Sequence, residues 1–281
     1  MADRLKMILR LYALSARMDW LLLSRDARTG LIYIVSDWIS AVSSVLGIAL
    51  LAVRFEGIGA LSTDEVLWML GFFTLSEGFT IMMLGNCNWL HISRVVGRGQ
   101  VDHMLIQPIP LWMQILTGGF LPFTGSSCFL TGVALTAIAT ARLGLAVTPG
   151  WLLLLATYML ARMAVATGCS YLAGTAAFYR PVACEELSTV VLDALSAAGK
   201  YPLAALPVWM QTLFLTALPV GLMAWLPSLL LLGRIGAPAA YAWPVAMGAA
   251  FLSVSGLLFR KGLKHYARYG CPRYKAMGFR N

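Results

Sequence analysis

Long, uninterrupted apolar stretches are the feature that most limits how this chain folds. LIYIVSDWISAVSSVLGIALLAV, residues 31–53, is one of several such stretches along the sequence. A helix of about 20 apolar residues crosses the roughly 30 Å hydrocarbon core of a bilayer. Only 12% of the 281 residues are charged, about half the share of a typical soluble domain. The sequence therefore predicts an all-α, polytopic membrane protein rather than a soluble helical one.

The hydropathy pattern predicts six membrane-spanning helices in a single transmembrane domain, residues 1–281. The apolar stretches are continuous rather than alternating, which is typical of helices and not of membrane β-strands. A basic tail, residues 260–281, follows the last span. The predicted spans are residues 31–53, 65–90, 111–140, 150–178, 203–224 and 239–259.

Lysine and arginine are distributed unevenly between the two sides of this topology. Seventeen lie on the side of the termini, and only Arg54, Arg142 and Arg234 lie on the other. Because loops rich in basic residues stay in the cytoplasm, both termini and the loop at 91–110 are predicted to be cytoplasmic, in the inner membrane of the cell. In a membrane protein the distribution of charge matters more than the net charge, here +9, so we expect no nucleic-acid partner.

Residues 1–30 mix basic and apolar side chains. The segment DRLKMILRLYALSARMDWLLLSR, residues 3–25, is typical of an interfacial helix that lies against membrane lipids on the cytoplasmic side. The alternative interpretation is an ordinary basic flank of the first span. Arg10, Arg17 and Asp19 interrupt its apolar positions, which argues against a cleavable signal peptide.

Motifs of enzymes and metal sites are missing from the sequence. There is no GxxxxGKS/T phosphate-binding loop, no HExxH zinc motif and no GxSxG nucleophile motif. We therefore expect no catalytic site, no metal and no cofactor in this chain. The histidines (His91, His103 and His265) lack ligand spacing, and the cysteines (Cys87, Cys128, Cys169, Cys184 and Cys271) lack a CxxC pair, so free thiols are expected.

Three charged residues fall inside predicted spans: Asp37 in the first, Glu77 in the second and Arg162 in the fourth. Each costs roughly 2.5–3.5 kcal/mol at the centre of a bilayer unless it faces protein or water. They either line a transport path or lock helices together, and the sequence leaves both interpretations open. Glu77 and Arg162 are the candidate ion pair.

The cytoplasmic loop between the second and third predicted spans contains GRGQVDHMLIQPIP, residues 97–110. Its pattern predicts a short amphipathic helix with Val101 and Leu105 on one face and polar residues towards water. Pro108 and Pro110 end that helix before the next span. A short surface helix tied to two membrane helices is suited to converting the movement of a partner into helix movement.

This segment resembles the G-x-hydrophobic-D-x-x-L-x-x-P signature of the ABC-2 type permease family of six-span exporter subunits. Three further stretches resemble that family in the same order, and with the first they are distributed from residue 57 to residue 270. They are GIGALSTDEVLWMLGFFTLSEGF, KYPLAALPVWMQTLFLTALPVGLMAWLPSLLLLG and FRKGLKHYARYG. Gln107 is a departure, since a basic residue is common there in the family.

The resemblance implies an ABC-2 (type V exporter) permease fold and the role of a membrane subunit without an ATPase site of its own. It also implies two copies of a separate ABC ATPase, which bind ATP and Mg, and a second permease subunit, either identical or a sister chain. In this sequence the coupling helix would be about residues 95–108, and a re-entrant outer segment would be about 217–233, with Pro219 and Pro227. The residues of the coupling helix expected to contact the ATPase are Arg98, Gly99, Asp102, His103, Leu105 and Pro108.

Two other functions remain open at the level of sequence. The charged residues Asp37, Glu77 and Arg162 suggest an ion-coupled secondary transporter, although no clear internal repeat is visible. An integral-membrane, lipid-modifying enzyme would need convergent acid, base or metal residues at one interface, and the sequence shows no such set. The large apolar interior suits drugs, peptides and lipid-linked molecules equally well.

Overall fold

Helices form along almost all of the described chain. The computed structural model describes residues 2–270 and contains no β-strand over that range, which confirms the all-α prediction. Residues 271–281, with Cys271 and half of the predicted basic tail, lie outside the described residues, as does the side chain of Cys87. The helices are α1 (Ala2–Arg25), α2 (Ala27–Arg54), α3 (Thr63–Leu84), α4 (Ile92–Gly97), α5 (Val101–Leu105), α6 (Leu111–Gly118), α7 (Ser126–Leu143), α8 (Pro149–Gly174), α9 (Leu187–Ala198), α10 (Val208–Leu215), α11 (Trp225–Leu231) and α12 (Pro238–Tyr269).

Five helices of residues 2–270 are long and apolar enough to cross a membrane, one fewer than predicted. They are α2 from Gly30 onward, α3, α7, α8 and α12. α2 and α8 match predicted spans closely, α3 ends six residues before its predicted span does, and α12 is longer than its predicted span. With 32 residues, α12 is about 48 Å long, so its basic last turns extend beyond a roughly 30 Å hydrocarbon core.

The third predicted span, residues 111–140, is wrong as a continuous helix. The structure divides it into α6 and α7, which are separated by residues 119–125. Gly119, Pro122 and Gly125 disfavour helix across this break, because proline lacks an N–H group and glycine loses the most backbone freedom on folding. Only α7 is long enough to be a candidate span.

The fifth predicted span, residues 203–224, is also wrong as a continuous helix. The stretch contains α10 and two short 3-10 helices, and α11 follows it. Pro207 and Pro219 divide the stretch, since proline also restricts the residue before it. The apolar helix of this region is α9, in a stretch predicted to be a cytoplasmic loop. Its 12 residues reach only about 18 Å, less than the thickness of the hydrocarbon core.

α3 lies at the centre of the bundle and is buried along most of its length. α7 packs closely against it because Gly78 of α3 and Gly132 of α7 have no side chain at the crossing. A Cβ atom at Gly78 would overlap the backbone of Phe129, and one at Gly132 would overlap the backbone of Leu75. Small residues permit this close packing of helices in membranes. α12 packs along α8, whereas α2 lies at the periphery with most of its surface exposed.

Two of the basic residues predicted for the outer side meet at the start of α3. Arg234 pairs with the buried Glu65, with Nε donating to Oε1 at 2.6 Å. Glu65 also forms a capping box with Ser62 at this helix start. Arg142, at the end of α7, lies 3.5 Å from a carboxylate oxygen of Asp64. The loops before α3, after α7 and after α11 therefore meet at one end of the bundle.

Candidate functional site

The segment predicted to be one coupling helix, about residues 95–108, forms two short helices. α4 ends at Gly97 and α5 begins at Val101. Gly99 lies between them with φ +71°, a left-handed conformation that glycine adopts without strain and that ends a right-handed helix. We call residues 92–109 the α4–α5 hairpin.

α4 is the buried arm of this hairpin. Ile92, Val95 and Val96 pack in an apolar cluster with Phe178, which follows α8, and Phe259 of α12. Val101, at the start of α5, is also buried there. The predicted amphipathic face is therefore wrong in one respect, because Val101 faces the protein interior while Leu105 is exposed.

The far end of the hairpin is an exposed apolar tip. Leu105 and Ile106 are 45% and 81% exposed, and Asp102, His103 and Pro108 are exposed around them. We call residues 102–108 the tip. The structure therefore places four of the six predicted coupling residues together on one exposed surface.

The tip is held in one conformation by a buried glutamine. The side-chain amide of Gln114, on α6, donates hydrogen bonds to the carbonyl oxygens of Met104 and Ile109, at 2.9 and 2.7 Å. Bonds to both sides of the turn fix its shape. The tip is therefore a preformed surface on a rigid support.

The other two predicted coupling residues lie outside the tip. Gly99 is buried at the break in the hairpin, and Arg98 forms an ion pair within this chain. Arg98 Nε lies 2.8 Å from Glu185 Oε1, and the bond raises the pKa of this arginine above its usual value. Arg94 Nε donates to Glu186 at 2.7 Å, and this hydrogen bond holds the pKa of Glu186 below its usual value. These two pairs join α4 to the loop between α8 and α9.

Serine side chains extend this connection into the bundle. Ser93 Oγ donates to the carbonyl of Glu185 at 2.6 Å, and it accepts the backbone N–H of Ser188 at 3.0 Å. Ser188 Oγ donates to the carbonyl of Ser170, in α8, at 2.7 Å. All three serines are fully buried. The hairpin is thus bonded to α9 directly and to α8 through Ser188.

Glu77 and Arg162 form an ion pair between α3 and α8. Arg162 is almost completely buried, donates a second hydrogen bond to Thr80 Oγ1 at 3.2 Å, and lies 4.9 Å from the ring centroid of Phe73. Ser196 of α9 donates to the other carboxylate oxygen of Glu77 at 3.3 Å. The structure thus brings these two predicted residues together and adds α9 to their contacts.

Asp37, the third charged residue, has a different partner, on α7. It accepts a hydrogen bond from Ser127 Oγ of α7 at 3.2 Å. Lys200 follows α9 in the sequence and contacts α2 further along the same face. Its ammonium group donates to the carbonyl of Ser44, in α2, at 3.2 Å. Lys200 is in the middle of the bundle, so it does not belong among the cytoplasmic basic residues, and without it the distribution is sixteen to three.

The prolines predicted for the outer re-entrant segment are buried. Pro219 begins a short 3-10 helix with Val220 and Leu222, and Pro227 lies in α11. Both elements pack against α8. The bonds of Glu65 with Arg234 place the end of this segment beside the start of α3.

Asp19 of α1 is a structural residue that the sequence pattern did not identify. Its buried carboxylate accepts hydrogen bonds from the backbone N–H groups of Phe123 and Thr124, at 2.8 and 3.2 Å, and from Thr124 Oγ1 at 2.7 Å. Tyr12 and Ser15 also bond to carbonyl groups of α6. α1 is thereby attached to α6 and to the break after it. An aspartate within an apolar and basic segment was the available signal.

Comparison with protein families gives a match over most of the chain. The family model described as ABC-2 family transporter protein matches residues 38–270. The chain belongs to this family. The match includes the α4–α5 hairpin, the Glu77–Arg162 pair and the short helices after α9. Comparison with curated proteins and with solved structures gave no match.

Membership of the ABC-2 family fixes the general function. Together with the five long apolar helices, it makes this chain a multi-pass membrane protein and a permease subunit of an ABC transporter. Such subunits lack an ATPase site of their own, so membership implies a partner ABC ATPase. Among the described residues, no group of histidine, cysteine or acidic side chains is arranged to hold a metal ion.

Proposed function

We propose that this ABC-2 permease exports its substrate from the cytoplasm, with energy from a separate ATPase. Two copies of the ATPase, each with ATP and Mg, would act on two permease subunits, identical or sister chains. The observation that carries the proposal is the tip: an exposed apolar surface of fixed shape, bonded through its support to α8 and α9. The permease needs no catalytic site of its own, because the partner ATPase would hydrolyse the ATP that supplies the energy.

The tip has the composition of a docking site for a folded partner. Leu105 and Ile106 offer apolar area that gains free energy when it is buried, at roughly 25 cal/mol per Å². Asp102 and His103 provide polar groups at the rim, as in other protein interfaces. We assign the coupling contact to residues 102–108 and the transmission of force to α4.

The ion pairs of α4 are suited to that transmission. Arg94 and Arg98 hold α4 against the loop before α9, and Ser93 joins it to Ser188 of α9, which in turn bonds to α8. Packed helices move as rigid bodies rather than deforming continuously. A displacement of the tip by the ATPase would therefore move α8 and α9 relative to α3.

The orientation of the complex follows the charge distribution. We propose that both termini and the tip face the cytoplasm, in the inner membrane, with the short helices around Pro219 and Pro227 re-entrant from the outer side. α1 would lie in the cytoplasmic interface, because its exposed surface carries large apolar side chains together with Lys6, Arg10 and Arg17.

The proposal is tested by affinity purification of the tagged chain in mild detergent, with identification of the co-purifying chains by mass. A stoichiometric ABC ATPase is expected. A second permease-like chain in the eluate would identify a heterodimer, and its absence a homodimer. A chain that purifies alone, from membranes without ATP-dependent flux, would contradict the proposal and favour the ion-coupled alternative.

A further inference from the structure

A partly open cavity of about 380 Å³ is lined mainly by residues of α2, α3, α7 and α9. It is separate from the tip and from the ion pairs of the hairpin. Binding pockets for small molecules usually measure about 300–1,000 Å³, so this cavity has the size of a site for a small ligand. Its polar lining includes Asp37, Ser44, Ser127, Cys128, Ser196 and Lys200.

The cavity results from a polar stripe on α2. Asp37, Ser40 and Ser44 recur at intervals of three and four residues, so they lie on one face of the helix. That face lies towards Thr74 and Glu77 of α3, and all five residues line the cavity. A polar stripe in an otherwise apolar span costs free energy unless it faces polar groups or a polar ligand.

Two opposite charges in this cavity are not paired with each other. Glu77 is compensated by Arg162, which leaves the carboxylate of Asp37 and the ammonium of Lys200. Among the described residues no ion pair joins these two. Asp37 accepts one hydrogen bond, from Ser127, and Lys200 donates to the carbonyl of Ser44.

The positions of the two charges fix the shape of a ligand. Lys200 contacts the carbonyl of Ser44, seven residues along α2 from Asp37, which corresponds to about 10 Å of helix. The Lys200 ammonium is held 5.4 Å from the ring centroid of Phe73, which fixes its direction. A ligand with one charge would pair with one group and leave the other uncompensated. A molecule with a charge at each end satisfies both.

We propose that this cavity binds a zwitterion, with a cationic amine near Asp37 and a carboxylate or phosphate near Lys200. The two sources of this chemistry are a short peptide and a zwitterionic lipid headgroup. The assignment deepens the proposed function by naming the class of substrate, and it rests on that function only for the statement that the bound molecule is exported.

Cys128 provides a reporter, since its thiol belongs to the cavity wall. In a variant that keeps only this cysteine, the full chain is purified in dodecylmaltoside, with any subunits that accompany it and without nucleotide. The rate of alkylation of Cys128 by a small maleimide is then measured with triglycine or with dihexanoylphosphatidylcholine. Triglycine amide, N-acetyltriglycine and dihexanoylphosphatidylglycerol serve as singly charged controls.

We expect at least one zwitterion to slow alkylation by roughly tenfold or more at saturation, while the singly charged analogues bind roughly tenfold to a hundredfold more weakly. Protection by triglycine alone identifies a peptide-like solute, and protection by the phosphatidylcholine alone identifies a lipid headgroup. Equal protection by zwitterions and singly charged analogues, or protection by neither zwitterion, would overturn the proposal.

Variants connect protection to the two charges. Asp37→Asn and Lys200→Met are expected to abolish protection, and Lys200→Arg to retain it. Asp64→Asn, at the start of α3, and Lys261→Met, in α12, remove the same charges outside the cavity and are expected to leave protection unchanged. Protection that persists in Asp37→Asn would contradict the proposal even if Lys200→Met fails to fold. Because binding is measured without ATP, its failure is distinct from the absence of an ATPase in the purification.

Discussion

Arg162 of α8 is paired with Glu77 of α3, and the same guanidinium group lies over the ring of Phe73. The pair joins the central helix of the bundle to a helix that the α4–α5 hairpin also contacts, through Ser188 and Ser170. Glu77 and Thr80 accept from Arg162, and the two charges compensate each other, while the buried Nε of Arg162 has no hydrogen-bond partner among the described residues. We propose that the pair locks the two helices together. We therefore favour this interpretation over an ion path at this position.

Replacing one member of this pair should destabilise the protein strongly. Arg162→Met leaves the carboxylate of Glu77 without its partner, and breaking a buried pair typically costs roughly 3–5 kcal/mol. The double variant Glu77→Gln/Arg162→Met should lose less than the sum of the two single variants, because no unpaired charge remains. The loss of stability in the single and double variants is measured by thermal unfolding in detergent, with tryptophan fluorescence as the signal. An Arg162→Met variant as stable as the parent would show that the pair is not a lock.

The ion pair of Arg94 with Glu186 predicts a dependence of stability on pH. The pKa of Glu186 is lower in the folded protein than in the unfolded chain, because Arg94 donates to its carboxylate. The stabilisation is therefore complete above the unfolded pKa and is lost as pH falls through about 4.5 and below. We expect Glu186→Gln to have a lower Tm than the parent near pH 7 and a smaller loss of Tm on acidification.

The control for this experiment is Asp102→Asn, which removes an exposed carboxylate of the tip that is in none of the described ion pairs. Its Tm should follow the parent at each pH. If Glu186→Gln and the parent lost stability in parallel on acidification, the ion pair of Arg94 with Glu186 would contribute nothing to stability.

Asp19 should control the attachment of α1. Asp19→Ala removes the acceptor of three hydrogen bonds at the break between α6 and α7, and leaves the backbone N–H groups of Phe123 and of the buried Thr124 without that partner. Each such loss costs roughly 1–3 kcal/mol. We expect faster cleavage by trypsin at Arg25 and Arg28 in this variant, with the bundle intact. Ser24→Ala, on the exposed side of α1, is the control, and equal cleavage in both variants would refute the role of Asp19.

The proposed topology predicts which residues a membrane-impermeant thiol reagent reaches. Single cysteines at positions 58 and 145 should react from outside intact cells, because the loops before α3 and after α7 meet at the outer end. A cysteine at position 100, beside Gly99 in the hairpin, should react only after the cells are opened. Reversed accessibility would overturn the orientation and, with it, the cytoplasmic placement of the tip.

The elements that could be predicted from sequence are those encoded by a continuous local pattern. α3, α8 and α12 follow uninterrupted apolar stretches, and the partnership of Glu77 with Arg162 follows from the cost of an isolated charge in a membrane. The divided third and fifth spans were missed because hydropathy averages over the glycines and prolines that break a helix. The break at Gly99, which divides the predicted coupling helix into α4 and α5, was missed for the same reason.

Other features depend on contacts that no local pattern contains. Asp19 caps a break 104 residues later in the sequence, and Lys200 contacts a carbonyl 156 residues earlier. Neither segment indicates, on its own, which distant element the residue contacts. Ile106, the most exposed large apolar side chain among those that the structure describes, was missed because the segment was predicted as one helix, whereas α5 has only five residues.

The contact of the tip with an ATPase is best measured by placing a photo-crosslinking amino acid at Ile106 and, separately, at Val133, an exposed apolar residue of α7 remote from the hairpin. Illumination of native membranes, followed by purification and mass analysis, identifies the captured chain. We expect the variant at position 106 to capture an ABC ATPase and the variant at 133 to capture none. Capture of the ATPase from 133 and not from 106, or from neither, would contradict coupling through residues 102–108.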